Sequence, residues 1–352
     1  MKLLYEKTSL TYDDALTTFL VTSGVRQGGP ESPLLFNLFI DFVMRIFIDK
    51  CTQDHTIHFF EHKYRINPRS VSREERLNMR QNNNKLWGEN LFPWCGYADD
   101  LILFVIDPES LQKATEILDE VFTEFGLKIN ESKTETMILN NTFLESEYPK
   151  SIISLRNVAL KNSTDFKYLG SYVSHDEPNT GDAEINHRIQ MAQAKFATLS
   201  NLLLNRNIIM KTRIKFLNSL VRSRLVYSCQ NWNLNVNQYE KMDTVYRNFL
   251  RRMVRGGFKR TGDNEFRYKF SNDKIHSICG TSDVSTFIRL QQRNYAGHVV
   301  RMAMDRSTKQ LMFNDDRYHR TGRLTPSLID QVVRNENCTI DEFVNRSLKI
   351  FI

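Results

Sequence analysis

Two adjacent carboxylates, Asp99 and Asp100, stand at the head of an apolar run, Leu101-Ile102-Leu103-Phe104-Val105-Ile106. Neighbouring side chains in a strand point to opposite faces, so consecutive aspartates can address one ligand only from a tight turn. Tyr97-Ala98-Asp99-Asp100 is therefore expected to close an antiparallel hairpin, with Leu101, Leu103 and Val105 alternating onto a core. Clustered carboxylate oxygens suit Mg²⁺, and the chemistry that needs them is phosphoryl or nucleotidyl transfer, where two ions clamp the attacking and leaving oxygens. The plainer alternative is a pair of solvated turn carboxylates.

The elements that must position this pair are legible on both sides of it. Upstream, Gly24-Val25-Arg26-Gln27-Gly28-Gly29-Pro30-Glu31-Ser32-Pro33 feeds an apolar helix that starts at Leu34-Leu35-Phe36. Ser32 is expected as N-cap and Pro33 at the first helical position. A glycine-rich turn lets backbone approach a phosphate or base pair, and a helix N-terminus favours anions. Downstream, Asp107-Pro108 caps a helix with Leu111, Ala114, Leu118, Val121, Phe122 and Phe125 on one face, ended by Gly126.

These two blocks, in this order, resemble the reverse transcriptases of non-LTR (LINE-type) retrotransposons. Gly24 to Pro33 is similar to their template-and-nucleotide motif B, and Tyr97 to Asp100 to their catalytic motif C. Gly126-Leu127-Lys128-Ile129-Asn130-Glu131-Ser132-Lys133 is similar to motif D, and Tyr168-Leu169-Gly170 to the primer-grip motif E. Arg293 and Gly297-His298-Val299-Val300-Arg301-Met302 resemble a C-terminal segment of the same elements, so the likeness runs from about Leu20 to about Met302. The resemblance implies an RNA-directed DNA polymerase in which Asp99 and Asp100 hold two Mg²⁺ ions. It implies that Lys133 acts as general acid on the leaving pyrophosphate, and that Arg26, Gln27, Gly28, Tyr97 and Ala98 line the nucleotide and template pocket. Tyr168, Leu169 and Gly170 would seat the primer end. Its partners would be an RNA template, a DNA primer or RNA–DNA hybrid, and a dNTP.

One departure from the pattern stands out. Family members carry a motif A aspartate upstream of motif B, whereas here only Tyr12-Asp13-Asp14 precede Gly24, and they read as an exposed polar turn. The expectation is a truncated chain that lacks motif A, does not polymerise by itself, and completes its site with an upstream palm, fingers or endonuclease segment in a longer product. The alternative is a non-catalytic nucleic-acid-binding remnant.

The fold class expected is α+β. Residues 1–180 would form a partial polymerase palm, an antiparallel sheet with packed helices, followed by a helical thumb over 181–262 and a helical tail over 263–352. Ile185, Ile189, Ala192, Phe196, Leu199 and Leu203 recur at helical spacing, as do Met210, Ile214, Leu217, Val221 and Leu225. A third stripe, Met242, Val245, Phe249, Leu250 and Met253, leaves Arg247, Arg251, Arg252 and Arg255 on other faces, where they would contact nucleic-acid backbone. The 55–90 stretch, rich in charge and Asn, reads as a surface excursion.

Composition narrows the remaining possibilities. At 352 residues, 41% hydrophobic and with a net charge of +7, the chain can bury more than one core and favours polyanions as partners. The five cysteines, Cys51, Cys95, Cys229, Cys279 and Cys338, contain no C-x-x-C pair, which points away from a disulfide framework or zinc knuckle and toward a reducing compartment. His55, His58 and His62 lie in a strand-like context, and Cys279 and His298 lack further ligands, so neither group is read as a metal site. No signal peptide or membrane span is expected, which makes an intracellular location, nuclear or cytoplasmic, the default.

Overall fold

The computed structural model describes residues 9–11, 18–20, 24, 28–65, 87–139, 148–175, 181–255, 258–260, 266–303, 306–313 and 328–349. Helices and small two-stranded antiparallel sheets alternate along the chain, an α+β composition. The described residues fall into two compact units. One draws on Met1–His62, Leu91–Thr134 and Ser151–Lys161, and the other on Lys63–Asn90, Glu135–Lys150 and Asn162–Ile352.

The first unit is built around helix α1 (Ser32–Gln53), strands β1 (Trp94–Tyr97) and β2 (Asp100–Leu103), and helix α2 (Pro108–Glu124). Ile40, Val43, Met44, Phe47 and Cys51 of α1 interlock with Ala114, Leu118, Val121 and Phe122 of α2. Val43, Met44, Phe47, Ala114 and Val121 are wholly excluded from solvent. Leu101, Leu103 and Val105 pack onto that core, the alternation expected of them. The N-terminus of α1 departs from expectation: Glu31 occupies the cap position without a side-chain cap bond, and Ser32 is the first helical residue. The turn itself starts the ladder early, with the Ser32 amide donating to Gly29 O (3.2 Å) and Leu35 to Glu31 O (3.0 Å), so no hydroxyl is needed there. At α2 the cap is as expected: Asp107 accepts from the Ser110 amide at 2.7 Å, with Pro108 behind it. That bond leads the causes that hold the Asp107 carboxyl below its ordinary range. Gly126, at φ +71, follows the last turn of α2.

The 55–90 stretch is not wholly an excursion. Its flanks, Phe60–Arg65 and Trp87–Phe92, are paired strands, the first of them in line with the strand-like context around His58 and His62. Tyr12, Asp13 and Asp14 lie outside the described residues.

The second unit is mainly helical. A hairpin of β3 (Asp165–Tyr168) and β4 (Ser171–Ser174) leads into α3 (Asp182–Thr198). Next, Met210–Phe216, Leu217–Arg222 and Ser223–Leu225 run as one rod whose middle section is a wider, π-helical stretch. Helices α4 (Val236–Val254), α5 (Asn272–Cys279) and α6 (Val284–Val300) follow. Their apolar stripes meet in one core that includes Ile185, Phe196, Leu217, Leu225, Met242 and Leu250, and Phe196 stacks on Phe249 with ring centroids 4.7 Å apart. Cys279 lies in that core, where burial pushes its thiol up to about 11, while His298 is exposed. Among the described residues no helix is long and apolar enough to cross a membrane.

Candidate functional site

The carboxylate pair sits at the tip of a two-residue hairpin. Strands β1 and β2 pair in the register Tyr97↔Asp100, Gly96↔Leu101, Cys95↔Ile102 and Trp94↔Leu103, leaving Ala98 and Asp99 as the turn. Ala98 adopts φ +54, the left-handed region that costs a residue with a Cβ roughly 1–2 kcal/mol. Glycine is the usual occupant of such a position. Asp99, Asp100, Ala98 and Tyr97 are all exposed, Tyr97 at 66%. The strand behind them is anchored: Phe104 N–H donates to Pro93 O (2.9 Å), Phe60 N–H to Phe104 O (3.0 Å), and Ile106 N–H to His58 O (3.1 Å). Beneath it Phe47 meets Phe59 edge-on at 6.2 Å.

As acceptor-only oxygens, Asp99 and Asp100 match the donors that Mg²⁺ takes. Two carboxylates are a partial set, and among the described residues no cluster of three or more His, Cys, Asp or Glu side chains is placed to hold a metal. Arg26 and Gln27 lie outside the described residues; Gly28, at φ +85, is exposed in the turn before α1. A Cβ on Gly29 would come 2.8 Å from both Ser32 Oγ and Glu31 Oε1, so a side chain there requires those two groups to shift.

Lys133 projects from a loop organised by Asn130, whose side chain accepts from the amides of Ser132 (3.1 Å) and Lys133 (3.2 Å). Lys133 itself is exposed. The loop is tied down by a residue with no sequence signal. Arg156, at φ +49 in the turn of the hairpin Ser154–Leu155 and Val158–Ala159, pairs with Asp119 of α2 and Glu131 of the loop. Glu131 is held below its ordinary value by a hydrogen bond from its own backbone and by Arg156.

The Tyr168-Leu169-Gly170 block forms the tip of the second unit's hairpin, with Tyr168 paired to Ser171 and the turn at Leu169 (φ +47) and Gly170 (φ +84). Two positive-φ residues make the turn whose twist suits a two-residue hairpin, but a leucine in that conformation is strained. Helix α3 grips this turn. Glu184 and Arg188 form a nearly buried ion pair at 2.7 Å, Arg188 donates to Gly170 O, and Glu184 accepts from the Tyr172 amide at 2.9 Å. Tyr227 OH donates to Leu169 O at 2.9 Å and its ring lies 4.6 Å beneath the Arg188 guanidinium. His187, edge-on to Tyr172, is held below its ordinary value by burial and then by Arg188 and Lys167.

The basic helix corrects an expectation. Arg247 and Arg251 are each only 7% exposed rather than solvent-facing. Arg247 pairs with Glu240 and lies 3.6 Å from Asp283, and Arg251 donates to Asn272. Helix α4 packs against α3, α5 and α6, so a helix read as having one buried stripe is enclosed on several sides. Arg252 and Arg255 remain exposed, Arg252 with its guanidinium 4.6 Å from the Phe196 ring.

Comparison with known proteins bears on the same residues. Residues 2–173 match the family model described as reverse transcriptase (RNA-dependent DNA polymerase). A transposon-derived protein of Caenorhabditis elegans is 26% identical over 205 residues, covering 58% of this chain and 70% of that relative. The matched region contains the Asp99-Asp100 hairpin, the Lys133 loop and the Tyr168–Gly170 turn. Over residues 2–173, therefore, this chain is reverse transcriptase-like, and it has a transposon-derived relative.

Proposed function

We propose that the chain is an RNA-directed DNA polymerase of non-LTR, LINE-type origin, with a palm over 1–180, a thumb over 181–262 and a tail over 263–352. The observation that carries this reading is the exposed Asp99-Asp100 hairpin within a stretch matched to reverse transcriptases. Asp99 and Asp100 would hold Mg²⁺, and the ions when bound supply charge neutralisation and in-line alignment of a primer 3′-hydroxyl with a dNTP. The residues of the chain do the rest. Gly28, with Arg26 and Gln27, gives backbone access to template and nucleotide, and Lys133 supplies a proton or a positive charge to departing pyrophosphate. Tyr168, Leu169 and Gly170 seat the primer. Arg252 contributes to backbone affinity for the RNA–DNA hybrid, whereas Arg247 and Arg251 support α4.

The chain by itself is inactive in this reading, because among the described residues no group of three or more candidate ligands forms around Asp99 and Asp100, and two carboxylates repel and hold two ions poorly. The same two-carboxylate set favours the second reading, a nucleic-acid-binding remnant without catalysis. Primer extension on an RNA template with dNTPs and Mg²⁺ or Mn²⁺ tests both. The expected result is hybrid binding without extension. Extension that disappears in Asp99→Ala would show that another carboxylate completes the site, with Asp13, Asp14 and Asp41 the first to replace, and inactivity would be wrong. Extension indifferent to Asp99→Ala would remove the hairpin from the chemistry, and absence of hybrid binding would defeat both readings.

A companion prediction separates the arginines. Arg252→Glu should weaken hybrid binding and lower the salt slope by about one, as expected for a lost phosphate contact. Arg251→Ala should instead destabilise the fold by about 1–3 kcal/mol through lost buried hydrogen bonding. Anisotropy at two salt concentrations, set beside urea unfolding, reads the two effects apart. Equal loss of binding at fixed stability in both variants would contradict the assignment.

A further inference from the structure

We infer that Glu184, Arg188 and Tyr227 are positioning residues that fix the Tyr168-Leu169-Gly170 turn, so that Leu169 is presented to the 3′ end of a primer strand. The inference rests on the primer-seat reading proposed above and adds the device that holds the seat. Both carbonyls at the tip are captured: Leu169 O by the Tyr227 hydroxyl at 2.9 Å, and Gly170 O by Arg188. The capturing groups are themselves fixed. Arg188 is paired with Glu184 at 2.7 Å and lies over the Tyr227 ring at 4.6 Å, and Glu184 also holds the Tyr172 amide of the returning strand. A Cβ at Gly170 would touch the Tyr227 ring at 3.4 Å, so the tyrosine is seated directly on the turn.

What is held in this way is a strained residue with an outward apolar side chain. Leu169 sits at φ +47 and is 41% exposed, where glycine or asparagine would adopt the same backbone with less strain. A hairpin needing only to reverse direction gains nothing from leucine there, and a clamp spanning 58 residues of sequence gives the turn one orientation. Strain retained under external restraint is the pattern of a presented contact. An exposed apolar side chain on a rigid tip suits the sugar and base face of a terminal nucleotide and carries no charge to track phosphates along a duplex. The clamp therefore governs recognition of the strand end rather than general backbone affinity.

The test uses the full chain and Tyr227→Phe, which keeps the ring under Arg188 and removes only the bond to Leu169 O, with Arg188→Lys as a second variant. The probes are an RNA–DNA hybrid with a recessed DNA 3′ end carrying 2-aminopurine at the terminal nucleotide, and a blunt hybrid of equal length. Tyr227→Phe is expected to lose about fivefold in preference for the recessed end, as one hydrogen bond is worth, with blunt-hybrid affinity unchanged and amide exchange at Gly170 and Ser171 accelerated. Preference retained in both variants despite faster exchange would overturn the positioning role. Recessed and blunt affinities falling in parallel would also overturn it, leaving a merely structural clamp. A wild-type chain with no preference for the recessed end would defeat the primer-seat reading itself, and the positioning role with it.

Discussion

Glu184→Ala is expected to lower the stability of the helical unit by about 3–5 kcal/mol, because it strands a buried guanidinium. Glu184 is 2% exposed and Arg188 7%. Glu184 Oε1 accepts from Arg188 Nε and Oε2 from the Tyr172 amide, so alanine removes two acceptors and leaves two donors without them. Glu184→Gln, which keeps an amide oxygen for one of those donors, should be milder. The double replacement Glu184→Leu with Arg188→Met should recover much of the loss, since an apolar pair carries no desolvation cost. Urea unfolding followed by circular dichroism measures all three. A Glu184→Ala variant within about 1 kcal/mol of wild type would show the pair to be open to water like a surface ion pair.

Phe47→Ala should have an effect of similar size in the other unit, about 3–5 kcal/mol from lost burial and the cavity left behind. Phe47 is fully excluded from solvent in the core that α1 shares with α2. It also meets Phe59, which bridges to Val105 just beyond the strand Asp100–Leu103. The change is therefore expected to loosen the hairpin as well as to lower stability, with faster amide exchange at Leu101 and Leu103 than at the α2 amides. Uniform acceleration across the unit would show that Phe47 supports the core without specifically buttressing the hairpin.

Much of this arrangement is local chemistry and was readable residue by residue. Asp107-Pro108 announced its helix because an aspartate oxygen reaches the amide three residues on, and the Asp-Asp hairpin followed from side-chain alternation in the apolar run. The stripes from Ile185 to Leu203 and from Met210 to Leu225 named their buried residues because one helical face was enough to specify them. The burial of Arg247 and Arg251 in the basic helix has a related reason. Periodicity marks the most apolar face and is silent about a polar face that neighbouring helices also cover, as they do around Arg247 and Arg251.

What the amino-acid order determined by itself was therefore the main helices, the Asp107 cap, and the carboxylate tip at Asp99 and Asp100, all governed by contacts within a few residues. The tertiary structure decided which charges are internal and what holds the turns. Arg156 joins Asp119 to Glu131, and Tyr227 reaches Leu169 across 58 residues. No spacing rule encodes such pairs. Each partner keeps contact with solvent, as Tyr227 and Leu169 do at 48% and 41% exposure, and only the packing of elements distant in sequence brings a carboxylate or carbonyl within reach of its donor.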